Sequence, residues 1–182
     1  MVQRWVDQPG DALSEADEPA HSDGPDLVDL VPAGRLPQGY LPILQAYDHT
    51  GDEVTLVHAD DERLRRMAVF DVVINNADRK GGHILTGVDG GVYGGRPRGS
   101  VCIPTTSFAP CCGGWAGKPV DDATLGVLAR LGEQVSEDLG AQLGEHITRR
   151  EVAALRARIV ALLDDPVMPT PDRHRPIPWP AF

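Results

Sequence analysis

The sequence has little positive charge, few aromatic residues and only three cysteines. Its 182 residues include 17 Lys and Arg against 27 Asp and Glu, and aromatic residues account for 5%. The formal net charge of −10 leaves no basic surface to attract phosphate backbones, which argues against nucleic acid as a partner. No apolar run approaches the ~20 residues needed to cross a bilayer, so we predict no membrane span.

The cysteines and the N-terminal residues indicate a cytoplasmic protein. Cys111 and Cys112 are adjacent, which is poor geometry for a disulfide, and Cys102 makes the number odd. No second cysteine pair or histidine cluster stands nearby to complete a zinc site. Residues 1–10 lack the apolar core of a signal peptide. We therefore expect free thiols in a reducing compartment.

The composition suits one lobe with long loops. Hydrophobic residues make up 41% of the chain, enough for a core, while 20 Gly and 16 Pro require many turns. We interpret residues 1–165 as the lobe, in which residues 1–6 form a connecting strand. Residues 7–26 carry seven acidic side chains and are predicted to be a solvated loop. Residues 166–182 contain six prolines and are predicted to form an extended strap.

A helix is predicted over roughly residues 61–76. Asp60 or Asp61 provides an N-cap, since a short acidic side chain accepts hydrogen bonds from the first free amides. Apolar side chains recur at helical spacing at Leu64, Met67, Phe70 and Ile74. Alanine and valine fill most other positions of the second half, so we expect that half to be buried nearly all round.

Shorter sequence patterns predict the remaining elements, and together they indicate an α+β, mainly helical fold with small β-hairpins. Val54–Val57 is typical of a strand, and the turn at Asp89 predicts a hairpin with arms at residues 84–85 and 92–93. Amphipathic spacing predicts one helix over residues 121–143. A further helix is predicted to begin at Thr148, in a capping box with the glutamate three residues later.

Several isolated side chains are interpreted as structural. His49 and His58 flank the predicted strand and are expected at the surface. Trp115 and Trp179 are expected to pack against the lobe, because large aromatic side chains contribute most when they are buried.

The polar loop after the predicted central helix contains the residues with the clearest chemical use. Asp78 and Arg79 precede two glycines and His83. A carboxylate there can accept a proton from an attacking hydroxyl, and a residue five positions later can reach a divalent ion. A helix, an aspartate-containing loop and a hairpin follow one another in kinase-type phosphotransferases. The alternative is a surface turn in which Asp78 pairs with Arg79 or caps a chain end.

The segment LVHADDERLRRMAVFDVVINNADRKGGHIL, residues 56–85, closely resembles an actinobacterial family related to phosphatidylinositol 3-/4-kinases. Residues 27–32, 114–117 and 177–180 resemble the same family. The resemblance implies a two-lobed kinase-like fold, of which this chain is the C-terminal lobe. It also implies ATP with Mg as cofactors and phosphoryl transfer as the reaction.

The resemblance also implies roles for individual residues. Asp78 takes the position of the catalytic base, and Arg79 that of its structural partner. His83 stands where lipid kinases have a metal-binding asparagine, and Asn76 is a second candidate for metal or substrate contact. Residues 1–6 correspond to the hinge that meets the adenine, so two of them are candidate nucleotide contacts: Gln3 and Trp5.

Two departures from the family pattern predict an inactive chain. This chain has no counterpart of the family's N-terminal lobe, which carries glycine-rich strands and a nucleotide-binding lysine. Its affinity for ATP should therefore be poor. After Val92-Tyr93-Gly94 the family has V-D-H-G, whose aspartate binds the metal, whereas this chain has Gly95-Arg-Pro-Arg98. One set of codons for residues 95–113 gives the family-like residues in another reading frame, so we interpret this segment as frameshifted.

Three functions remain open from the sequence. The first is a fragment of an ATP-dependent phosphotransferase, with a lipid, protein or small-molecule acceptor that the sequence does not identify. The second is a non-catalytic, pseudokinase-like binding module. The third is a small acidic interaction protein without any link to nucleotide.

Overall fold

The computed structural model describes residues 26–76, 79–95 and 110–170, apart from the side chains of residues 110–112. This part is an α+β fold in which helices contribute more residues than strands, as predicted. The strands and helices are β1 (Val28–Pro32), β2 (Tyr40–Tyr47), β3 (Glu53–Ala59), α1 (Glu62–Ile74), β4 (Ile84–Thr86), β5 (Val92–Gly94), α2 (Asp122–Ser136), α3 (Asp138–Leu143) and α4 (Arg149–Asp164). Short 3₁₀ helices cover Gly81–His83 and Pro110–Trp115.

Several sequence predictions lie outside the described residues. They are the hinge-like strand with Gln3 and Trp5, the acidic loop up to residue 25, the catalytic candidate Asp78, most of segment 95–113, and residues 171–182 of the strap with Trp179. In the described part of the chain, no helix has the length and apolar character needed to cross a membrane.

The first three strands form an antiparallel sheet in the order β1-β3-β2. β3 is central, and its residues Leu56, Val57 and His58 are buried because strands cover both of its edges. The β2–β3 register shifts between Pro42 and Leu44, and proline has no amide hydrogen to donate to a ladder. The sequence predicted β3 and small hairpins but not this sheet. The predicted β4–β5 hairpin is confirmed.

Helix α1 begins and ends close to its predicted bounds. The Asp61 carboxylate accepts the amide N–H groups of Arg63 at 2.8 Å and Leu64 at 3.3 Å, as an N-cap does. The second half is buried at most positions, as expected, since Ala68, Val69, Asp71, Val72 and Val73 are all buried. Phe70 departs from this expectation, since it is 53% exposed beside a groove between α1 and α2.

The helix predicted over residues 121–143 is two helices, α2 and α3, that meet at Glu137. The Ser136 hydroxyl donates a 2.7 Å hydrogen bond to the Gly132 carbonyl, which competes with the regular backbone pattern. The Glu137 amide then bonds the Gln134 carbonyl in a tighter turn. Leu139 still packs against the core, so the apolar spacing continues across a break that it does not reveal.

One hydrophobic core joins the sheet, α1, α2 and α4. It includes the first residues of the predicted strap, since Met168 is fully buried and bonds Lys118 and Gly117 through its backbone. Pro119 and Val167 form a β-bridge beside it. The remaining buried members of this core are Val28, Leu56, Leu64, Ala68, Val69, Val72, Val73, Trp115, Val120, Leu128, Val135, Ile159 and Leu162.

His58 is buried, so the prediction that it lies at the surface is wrong. It lies on the central strand, and the Trp115 ring covers it with the two ring centroids 4.1 Å apart. Its Nδ1 faces the Ala59 carbonyl at 2.8 Å, so Nδ1 carries the proton of the neutral ring. Nε2 is buried without a hydrogen-bond partner among the described residues. The predicted packing role of Trp115 is confirmed, and its Nε1 also donates to Asp60 at 2.8 Å.

Gly114 lets this histidine approach the chain closely. A Cβ on Gly114 would lie 2.5 Å from His58 Nε2 and 2.6 Å from Leu41 Cβ, distances that real Cβ atoms do not show. Any larger residue at position 114 would therefore push the Pro110–Trp115 helix away from the sheet.

We predict that Gly114→Ala lowers the free energy of unfolding by about 1–3 kcal/mol, since overpacking displaces His58 and Leu41. Urea denaturation measures the change. Gly113→Ala is the matched control: its Cβ would come no closer than 3.4 Å to Ile43, so we expect a change within about 0.5 kcal/mol. Equal stability of the two variants would contradict the close contact.

The second prediction concerns pH. Burial lowers the pKa of His58, and Lys118 lowers it further, against the opposing effects of the Ala59 carbonyl and Asp60. Below about pH 6.5 the unfolded chain binds a proton at His58 more readily than the folded chain does. The free energy of unfolding therefore decreases as the pH is lowered, by up to ~1.4 kcal/mol per pH unit. Urea unfolding between pH 7.5 and 5.5 should show this decline in the native chain.

His58→Leu is the comparison for that measurement, because it removes the titrating ring and keeps an apolar side chain. We expect the decline of stability between pH 6.5 and 5.5 to be smaller in His58→Leu. An identical pH dependence of stability in the two chains would show that folding does not change the pKa of His58.

Candidate functional site

The C-terminal end of α1 turns the chain into the polar loop that the sequence singled out. Asn75 adopts a left-handed conformation, with φ 57°, and its amide bonds the Asp71 and Val72 carbonyls. Asparagine tolerates this conformation better than most residues, so it ends the helix as glycine often does. Asn76 follows and is fully buried.

A buried carboxylate organises this turn. Asp71, on the last turns of α1, has no exposed surface. Its Oδ1 accepts from Asn76 Nδ2 and from one terminal nitrogen of Arg79, both at 2.8 Å, and its Oδ2 accepts from Arg79 Nε at 2.9 Å. The pair is bidentate, with the two side chains 3% and 0% exposed. Such forked pairing fixes orientation as well as distance.

Arg79 also reaches the β4–β5 hairpin. Its other terminal nitrogen donates to the Gly95 carbonyl at 2.8 Å. A Cβ on Gly94 would lie 2.7 Å from the same guanidinium, so only glycine leaves room for it. Arg79 therefore connects the end of α1, the loop and the end of β5.

The resemblance implied that Arg79 is the structural partner of Asp78, and the structure pairs it with Asp71. Arg79 is buried, unlike a residue of the surface turn that was the alternative. The sequence analysis missed Asp71, although a signal was present. It is a lone acidic residue within the apolar second half of a helix, where a charge must find a partner.

Asp78 itself, with Ala77, lies outside the described residues. In the sequence it stands between Asn76 and Arg79, which both bond the Asp71 carboxylate. The catalytic role of Asp78 stays a prediction.

His83 ends the short 3₁₀ helix before the hairpin. Its Nδ1 accepts a long hydrogen bond of 3.4 Å from the Lys80 amide, and its carbonyl accepts from the Gly95 amide at 2.5 Å. With Nδ1 acting as an acceptor, the neutral ring carries its proton on Nε2. That nitrogen is then a donor suited to an anion, whereas metal binding would need its lone pair.

The metal roles predicted for His83 and Asn76 stay predictions. Within residues 26–76, 79–95 and 110–170, no group of three or more His, Cys, Asp and Glu side chains is placed to hold a metal ion. The Asn76 amide nitrogen is engaged with Asp71. Mg²⁺ prefers several oxygen ligands, which these two residues do not supply.

Helix α4 supports the same turn from behind. Arg158 donates from Nε to the Val73 carbonyl at 2.7 Å, near the C-terminus of α1. A cation at that end of a helix also complements the helix dipole. Burial lowers the pKa of Arg158, and one of its terminal nitrogens has no hydrogen-bond partner among the described residues. No sequence pattern pointed to this contact.

Two grooves of about 400 Å³ lie away from this turn. One, of about 390 Å³, runs between α1 and α2 beside Phe70 and Val127. The other, of about 400 Å³, runs between α3 and α4. Asn76, Arg79 and His83 line neither groove.

Comparison with known proteins gives one informative relative. The chain is 56% identical over 182 residues to Protein Rv2133c of Mycobacterium tuberculosis (strain ATCC 25618 / H37Rv). The match spans all of this chain and 64% of the relative's length. No family model and no solved structure matches the chain.

We predict that Arg79→Met lowers the free energy of unfolding by about 3–5 kcal/mol, because it leaves the buried Asp71 charge unpaired. Urea denaturation measures the loss. Arg66→Met, on α1, is the control. Arg66 pairs with Glu62, and the two side chains are 57% and 67% exposed, so we expect a loss within about 0.5 kcal/mol. Similar losses in both variants would contradict the central role of the buried pair.

Proposed function

We propose that the chain is the C-terminal lobe of an ATP-dependent phosphotransferase related to phosphatidylinositol 3-/4-kinases. The observation that carries this proposal is the buried Asp71–Arg79 pair, which anchors the loop containing Asp78 between a helix end and a hairpin. Enzymes that transfer phosphoryl groups act mainly by positioning and electrostatic stabilisation, so they need such a loop to be held rigidly.

The arrangement suits a defined division of roles. Asp78 accepts the proton of the attacking hydroxyl, and Arg79 positions the loop through Asp71 and the Gly95 carbonyl. The Nε2–H of His83 donates to a phosphate oxygen. Arg79 and Asp71 are positioning residues in this scheme, because both are buried and bonded to each other.

The residues do not fit a bound Mg²⁺ ion. The family aspartate expected after Gly94 is absent from the segment Gly95-Arg-Pro-Arg98, which carries two positive charges instead of a carboxylate. We therefore assign no step to a metal, and we propose that the chain has little or no catalytic activity as written. The acceptor, whether lipid, protein or small molecule, is not specified by this site. The cytoplasmic location stays a prediction.

A non-catalytic, pseudokinase-like binding module is the second candidate. It is favoured by the loss of the family aspartate after Gly94. A lobe that keeps the Asp71–Arg79 pair but lacks this metal-binding carboxylate retains the fold and loses the catalytic activity. In that case the buried pair serves the fold alone.

Restoring the missing carboxylate tests the first candidate against the second. Arg96→Asp places an aspartate where the family pattern has its metal ligand. Calorimetric titration with ATP, with and without Mg²⁺, should show binding in this variant that is magnesium-dependent and at least about tenfold tighter than in the native chain. Arg98→Asp is the matched control, since it makes the same charge change two residues further along, and its binding should equal that of the native chain.

The role of Asp78 is tested in the same background. If Arg96→Asp restores ATP hydrolysis, adding Asp78→Asn should reduce the rate by about 100-fold or more, because the base is lost. Absence of ATP binding in both the native chain and Arg96→Asp, with Mg²⁺ present, would overturn the phosphotransferase proposal and favour the binding module.

A further inference from the structure

The groove between α3 and α4 is lined by small and apolar residues together with two arginines. One side is a single face of α4 and the other is the end of α3 with the turn that follows. Its volume is about 400 Å³, within the range of small-molecule sites. Its lining residues are Gly140, Ala141, Gly144, Glu145, Arg149, Val152, Ala153 and Arg156.

Helical spacing places two guanidinium groups on this one face. Arg149 and Arg156 are seven residues apart on α4, almost two full turns, so both point to the same side about 10 Å apart along the axis. Val152 and Ala153 lie between them. The α4 wall is therefore an apolar patch with a positive charge at each end.

These two arginines have no partner among the described residues, in contrast to several other arginines of the chain. Arg63 pairs with Asp61, Arg66 with Glu62 and Arg79 with Asp71. In the part of the chain that the structure describes, no hydrogen bond or ion pair engages the side chain of Arg149 or Arg156, and both residues are exposed. In a chain with net charge −10, two unpaired cations facing one groove are unexpected from composition.

The opposite wall leaves space for a ligand. A Cβ on Gly140 would collide with the Val135 carbonyl, so the break between α2 and α3 requires glycine there. Gly144 and Ala141 add little bulk. Glu145 is the one acidic residue among those that line the groove, so two positive charges face one negative charge.

We propose that this groove binds a small organic anion. Arg149 and Arg156 hold its phosphate or carboxylate oxygens, since guanidinium matches both groups in a forked geometry. The apolar part of the ligand lies on Val152 and Ala153. This site is separate from the Asp71–Arg79 turn and does not depend on the proposed phosphotransferase function.

The test uses inorganic phosphate and succinate as probes, each titrated into the whole chain at constant ionic strength set with sodium chloride. Isothermal calorimetry should detect binding of at least one probe to the native chain. The double variant Arg149→Gln/Arg156→Gln should bind it at least about tenfold more weakly, because both oxyanion contacts are lost. Comparing phosphate with succinate shows which oxyanion the groove prefers.

The matched control is Arg130→Gln/Arg150→Gln, which removes the same net charge from exposed positions that do not line the groove. Its affinity for the probe should equal that of the native chain. Thermal unfolding without probe establishes that both double variants fold. Equal affinity of the two double variants, or no binding of either probe to the native chain, would overturn the proposal.

Discussion

The need to neutralise one buried carboxylate governs the arrangement around the end of α1. Asp71 lies among apolar neighbours on a helix that packs in the core, where an unpaired charge would be strongly unfavourable. Arg79 and Asn76 meet that need, and to do so the chain must reverse direction directly after the helix. The conformation of the loop thus follows from electrostatics, and the hairpin is joined to it through Gly95.

A second junction holds the sheet to the helical part by packing. The ring of His58, on β3, contacts the tilted ring of Trp115, at the end of the Pro110–Trp115 helix, and Gly114 makes the close approach possible. Arg158 makes a third connection, from α4 to the Val73 carbonyl. The second and third junctions each leave a buried nitrogen without a hydrogen-bond partner among the described residues, His58 Nε2 in one and a terminal nitrogen of Arg158 in the other, and this lowers stability.

Local signals allowed several elements of this structure to be predicted. Asp61 and Thr148 cap their helices through residues two or three positions away, so α1 and the start of α4 follow from short segments. The β4–β5 hairpin follows from its turn for the same reason. These features need no knowledge of distant residues.

The remaining features depend on contacts between distant residues. The pairing of β1 with β3, the burial of His58 and the contact of Arg158 with Val73 connect positions far apart in the sequence. At the candidate site the loop was found from its residue types, but Asp71 was not, because its importance appears only once Arg79 folds back on it. The break at Ser136 was hidden by apolar spacing that continues through it.

The burial of Met168 has a consequence for synthesis of the chain. Its side chain belongs to the same core as β1 and α1, which end 136 and 94 residues before it in the chain. The core therefore lacks one of its members until residue 168 has left the exit tunnel, so the lobe completes its folding only after that point. Until then the nascent chain exposes apolar surface on which a chaperone can act.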